Sequence, residues 1–204
     1  MTEDPLQQIN TLTQSLIRFQ SVHGKPHEIR RCAEFVEDHL NRSGADVRRI
    51  EHENTPSLLA LPRDDYAPVL LMSHIDVVSA EPEQSQPFEE DSNLYGRGSL
   101  DDKYAVALSL VLLRKRPNEL HRQGKGQKDL PFGLLITSDE EMDGCHGAGR
   151  LLKILDTDFV VVLDGGRVVW GADGDESAHS GHEHVQLQSV LRLHGMLDQF
   201  LRTI

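Results

Sequence analysis

Apolar positions recur at helical spacing over residues 5–20, where Ile9, Leu12, Leu16, Ile17 and Phe19 share one face. Asp4 stands where it can cap this helix, and Pro5 suits its first turn. A second helix is predicted over 26–43, with Ile29, Cys32, Ala33, Val36 and Leu40 as its buried stripe and Gly44 ending it. Strand-like segments follow at 46–50, 57–61 and 69–72. The last lies in PVLLMS, a short continuous apolar run that suits a central strand buried on both faces. Residues 74–99 read as a loop and 101–116 as a helix with Ala105, Ala107, Leu108, Val111 and Leu112 apolar. The polar stretch 117–130 reads as an exposed connection. PFGLLIT (131–137) is another buried strand, HGAGRLLKIL a short helix, FVVVLD (159–164) a third apolar strand, and 185–201 a closing amphipathic helix. Strands alternating with helices predict a three-layer α/β fold, with a mostly parallel central sheet and helices on both faces. No internal repeat is visible, and 204 residues suit one catalytic-size α/β domain over 1–204.

Composition narrows the function classes. No run of about 18 apolar residues exists, so no membrane span is predicted. The opening MTEDPLQQIN has no basic stretch followed by an apolar core, so no secretory signal is expected, and the location is expected to be cytoplasmic. Cys32 and Cys145 form no metal-type pair and read as free thiols in a reducing compartment. A net charge of −12 argues against a nucleic-acid partner, whose phosphates it would repel. Most of that acidity serves solubility. Part of it fits a site that collects carboxylates around divalent cations.

Three apolar strands run into polar clusters: His74-Ile75-Asp76, Ser138-Asp139-Glu140-Glu141 and Asp164-Gly165-Gly166. Ligands of open α/β sheets bind at the carboxyl ends of strands. One such cluster is ordinary for the start of a loop; three carrying histidine and carboxylates point to a metal site.

These segments resemble the motifs of the M20 metallopeptidases, the family of acetylornithine deacetylase, succinyl-diaminopimelate desuccinylase, aminoacylases and glutamate carboxypeptidases. LMSHIDVV resembles the first motif, LYGRGSLDDK the second and TSDEEMDG the paired glutamates of the third. GADGDESAHSGHEHV resembles the segment bearing the last histidine ligand, and the likeness covers roughly 5–166 and 168–203. The resemblance implies two Zn²⁺ per chain, with Co²⁺ or Mn²⁺ as substitutes. His74, Asp101 and Asp164 would hold one ion; Asp101, Glu141 and His179 the other, Asp101 bridging. Asp76 would orient His74, Glu140 would be the general base, and the Asp101–Asp102 peptide would be cis. Water activated between the two metals would hydrolyse amide or peptide bonds of small substrates, either N-acyl amino acids or short peptides. Aspartate at 164, where deacylases often have glutamate, favours the peptidase side.

Elementary chemistry agrees with this set. Two imidazoles and three carboxylates suit zinc. Three anionic ligands and a hydroxide balance two dications. Asp76 lies two residues beyond His74, on the same side of a continuing strand. Among the neighbouring histidines, His179 is preferred over His182 and His184, because Ala178-His179 followed by Glu183 fits the family segment. His146 reads as a loop residue or helix start. Arg97 reads as a substrate holder or a brace for its loop, and Lys103 as structural.

Family members usually insert a smaller domain between the aspartate-glycine-glycine strand and the last histidine. It commonly mediates dimerisation, supplies an oxyanion histidine and holds the substrate carboxylate. Here Asp164 and His179 are only fifteen positions apart, so that domain is expected to be missing between about 166 and 169. A monomer is then expected, with apolar surface exposed near 168–170. A second reading follows: a weakly active or non-catalytic metal-binding remnant without the substrate clamp.

Overall fold

A computed structural model describes residues 4–164 and 179–204. Helices α1 (Pro5–Ile17) and α2 (Pro26–Arg42) come first, α1 capped by Asp4, whose Oδ1 accepts from Leu6 N at 3.1 Å. Strands β1 (Arg48–His52), β2 (Thr55–Ala60) and β3 (Tyr66–His74) follow. A short hairpin, β4 (Phe88–Glu90) and β5 (Asn93–Tyr95), precedes helix α3 (Lys103–Arg122). The chain continues through β6 (Phe132–Thr137), the one-turn helix α4 (Ala148–Leu151) and β7 (Asp156–Val162). It closes with β8 (His184–Gln186) and α5 (Leu187–Phe200).

The central sheet has the order β1-β2-β6-β3-β7. β3 is parallel to both β6 and β7, whereas β1–β2 and β2–β6 are antiparallel. The sheet is therefore mixed, and the three strands that end in polar clusters are its parallel part. Register aligns His74 with Thr137 and Met72 with Val162, so these three strands finish at one edge of the molecule.

Alternation along the strands divides the core. Leu58, Ala60, Val69, Leu71, Leu134 and Ile136 join the larger cluster, which α1, α2, α3 and α5 cover. Leu59, Leu61, Leu70 and Leu135 face the other way, against Leu151 of α4. Among the described residues helices thus lie on both faces, but four cover one and a single turn covers the other.

Three expectations change at their edges. α3 does not stop at 116 but runs through Pro117 to Arg122. An interior proline costs a helix about 3 kcal/mol. Leu120 is buried beyond it, and Arg116 bonds both Glu119 and Asp198, so packing on both sides outweighs the local cost. The loop predicted over 74–99 contains the β4–β5 hairpin, which β8 joins as a separate three-stranded sheet. Its turn, Asp91-Ser92, has positive φ at both residues, as does Glu53-Asn54 between β1 and β2. That is the two-residue hairpin geometry usually signalled by a glycine, and neither turn carries one. Among the described residues β7 is an edge strand with Phe159, Val160 and Val162 exposed, although its composition is that of a buried strand. The expected loss of a domain between 166 and 169, and of cover near 168–170, lies outside the described residues.

Candidate metal centre

His74 is the last residue of β3 and is 2% exposed, with its ring held from both sides. Nε2 meets Asp101 Oδ1 at 2.9 Å. Nδ1 lies 3.1 Å from the backbone oxygen of Asp76 and 3.3 Å from Asp76 Oδ1. Asp76 Oδ2 accepts from Glu141 N at 3.0 Å, which ties the end of β3 to the turn after β6. Asp102, fully buried, accepts from His74 N at 3.2 Å. The Asp101–Asp102 peptide is cis.

The turn after β6 separates its two glutamates. Glu141 is turned inward, 9% exposed, with Oε1 3.3 Å from His179 Nε2. Glu140 is 46% exposed, with Oε2 3.8 Å from His74 Nε2. Asp139 braces this turn, its Oδ2 accepting from His146 N and Gly147 N at 2.8 and 3.0 Å. His179 Nε2 meets Asp101 Oδ2 at 2.8 Å. Two three-donor groups result: His74 with Asp101 and Asp164, and Asp101 with Glu141 and His179. Within each group one donor atom per residue lies within 4.8 Å of the others. Asp101 belongs to both.

The other sequence candidates fall elsewhere. His182 and His184 join neither group among the described residues. His146 donates its backbone N–H to Asp139 and places its ring 5.4 Å from His52. Lys103 is buried and donates to Phe19 O at 2.7 Å. Arg97 braces its loop, through an ion pair with Glu183. Sequence reasoning used Glu183 only as a marker of its segment, Asp102 only as the partner in a cis peptide, and Asp139 only as part of a polar cluster. Only the fold reveals what the three hold.

Electrostatics test whether these donors suit cations. Burial raises the Glu141 carboxyl, and the neighbouring Asp101 adds to it against the pull of His179 and His74, giving a pKa of about 7. Burial opposes protonation of His74, but its bonds to Asp101 and Asp76 prevail and hold it well above its ordinary value. Burial also raises Glu140; His74 opposes this, and Asp164 and Asp101 reinforce it. Burial would raise Asp101 as well, but its bonds to His74 and His179 prevail and hold it below its ordinary value. Crowded carboxylates that take up protons or lean on a protonated histidine are what a cation-binding set does without its cations. The donors therefore fit divalent cations, by charge and by ligand chemistry.

A pH dependence follows. Glu141 and His74 bind protons more tightly in the folded, metal-free chain than when unfolded. As pH rises from about 4.5 to about 7 the unfolded chain releases the Glu141 proton first, so that group lowers folded stability across this window. His74 acts in the same direction above 6.5. Through these groups metal-free protein should melt at progressively lower temperature over this range; His194, lowered by burial, acts the opposite way below 6.5. Zinc affinity should rise with pH, because binding displaces these protons. Thermal melts with and without zinc across that range check both signs; a metal-free melting temperature that climbs with pH contradicts them.

Fold and site together define an α/β domain whose parallel strand ends gather a carboxylate-bridged pair of metal-type donor groups. A match to peptidase family M20/M25/M40 spans residues 70–171, half of the chain, and the chain belongs to this family. It is 31% identical over 159 residues to succinyl-diaminopimelate desuccinylase of Blochmanniella floridana, covering 71% of this chain and 38% of that protein. It is 31% identical over 162 residues to cysteinylglycine-S-conjugate dipeptidase of Corynebacterium striatum, covering 73% of this chain and 34% of the other. Among solved structures, human carnosine dipeptidase 1 superposes with a TM-score of 0.59 at 18% identity, over 83% of this chain and 40% of that one. An M20 family metallo-carboxypeptidase of Sulfolobus solfataricus gives 0.58 at 16%, over 76% and 37%. The matched region thus spans well under half the length of these relatives. No helix among the described residues is long and apolar enough to cross a membrane.

Proposed function

We propose that this chain is the metal-binding catalytic part of a dinuclear zinc hydrolase that cleaves amide or peptide bonds of small substrates. The observation that carries this reading is the pair of three-donor groups sharing Asp101. His74, Asp101 and Asp164 would hold one ion, and Asp101, Glu141 and His179 the other. Bound there, divalent ions would polarise an amide carbonyl and make water acidic near neutral pH. Glu140 accepts the proton of the attacking water and returns it to the departing amine as the carbon–nitrogen bond breaks. Its half-exposed carboxyl, raised in pKa, suits both transfers. Asp76 fixes the His74 ring, leaving Nε2 to face the site. The substrates in this reading are N-acyl amino acids or short peptides, in line with the named activities of the desuccinylase and dipeptidase relatives.

The same reading takes the chain as one domain with no inserted domain between Asp164 and His179, acting as a monomer. Its two free cysteines, Cys32 and Cys145, fit the cytoplasm. Hydrolysis of simple N-acyl amino acids and dipeptides by the zinc-loaded chain tests the activity, and turnover that vanishes on chelation is the expected result. A second reading is favoured by the exposure of Glu140 and His179, 46% and 45%, at a site open to water. There the chain binds metal without useful turnover, and zinc retention with no hydrolysis of any substrate in the set would establish it.

A further inference from the structure

Arg97 and Glu183 form a buried ion pair, 3% and 2% exposed, between Arg97 Nη1 and Glu183 Oε2. Each has a second task. Glu183 Oε1 accepts three backbone N–H groups, from Gly98 at 3.0 Å, Leu100 at 3.0 Å and Asp101 at 3.1 Å. Arg97 Nη2 donates to the carbonyls of His179 at 2.8 Å and Ser180 at 3.2 Å. Gln84 Nε2 also donates to Ser180 O, at 2.9 Å, and Gly96 N to Glu183 O, at 3.1 Å. One ion pair therefore grips the backbone of both Asp101 and His179, whose side chains meet at 2.8 Å in the site.

His179 needs such a grip. Its φ is +75°, a left-handed conformation unfavourable for a residue with a Cβ. Conformations of this kind persist where surrounding contacts over-determine them. The Arg97 bond to its carbonyl is such a contact. His74, by contrast, is placed by β3 and by Asp76, and the pair reaches it indirectly, through Asp101. Buried ion pairs add little net stability compared with apolar replacements, so the value of this one lies in the geometry it enforces.

We propose that Arg97 is a positioning residue for one of the two cation positions, the one made by Asp101, Glu141 and His179, through its hold on the His179 backbone and with Glu183 as its anchor. This rests on the two-metal reading above. Arg97 supplies the selective arm, because it reaches the His179 backbone; Glu183 anchors Arg97 through Oε2, while its Oε1 separately holds the backbone of Asp101, which both positions share.

Stepwise zinc affinities, measured by competition with a chelator, test this in the parent, in Arg97→Met and in His179→Ala. His179→Ala identifies which binding step belongs to that position. In Arg97→Met that same step should weaken by about 10–100-fold, the usual effect of losing a group that orients a metal ligand. The other step should hold. Arg97→Met added to His179→Ala should change the remaining affinity by no more than about twofold, since both changes act on one position. Arg97→Lys keeps the charge toward Glu183 but cannot also span both carbonyls; it should show a smaller loss confined to the same step. Arg97→Lys carries the test if Arg97→Met does not fold. Equal weakening of both steps, or of neither, overturns the proposal and leaves the two-metal reading intact. A parent that binds no zinc overturns that reading itself.

Discussion

Replacing Glu140 with glutamine should leave zinc bound and lower turnover by about 10²–10⁴-fold, the range supplied by a positioned proton-transfer group. Glutamine has nearly the same size and keeps one oxygen, but it cannot take a proton from water. Glu140 belongs to neither three-donor group, so its loss subtracts no metal ligand. Glu141, its neighbour, points inward to His179 and should behave oppositely: Glu141→Gln should weaken metal binding first and turnover as a consequence. Paired measurement of retained zinc and kcat on both variants separates the two roles. Full turnover in Glu140→Gln would remove it from the mechanism, and lost zinc there would make it a ligand.

In the two-metal reading, Asp101→Ala should have the largest effect on metal binding, taking the chain from about two zinc ions to about none, because folded-site binding depends on the complete ligand set. Asp101 is the one residue common to both groups among the described residues. Each of its oxygens faces a different histidine, Oδ1 toward His74 and Oδ2 toward His179. Its backbone N–H stays bonded to Glu183 whatever the side chain, so the loop keeps that anchor in the variant. His179→Ala removes a donor from one group only and should leave about one ion, by the same dependence on ligands. A variant at Asp101 that retains one tight ion would mean the two positions are independent rather than bridged.

What the sequence made legible follows from how locally each feature is encoded. The parallel strands were readable because β3 and β6 are continuous apolar runs, and their polar ends marked the edge where the donors meet. The seven residues that the family resemblance implied, His74, Asp76, Asp101, Glu140, Glu141, Asp164 and His179, lie close together there. Features that depend on distant partners were not readable. The continuation of α3 past Pro117 needs Asp198, which lies on α5. The β4–β5 hairpin turns on Asp91-Ser92 without a glycine to announce it. The exposure of β7 depends on its place in the strand order, which apolar composition does not encode. Arg97 could be read as a brace or a substrate holder. Its partner 86 residues away decides for the brace.

Zinc content by elemental analysis, on protein loaded with zinc and desalted, tests the central claim most directly when His179→Ala is run beside the parent. Two ions per chain in the parent and about one in the variant is the predicted result, one ion per intact donor group. A parent that retains none would contradict it, since Asp101, Glu141, Asp164 and the two histidines would then be gathered at the strand ends without holding a metal.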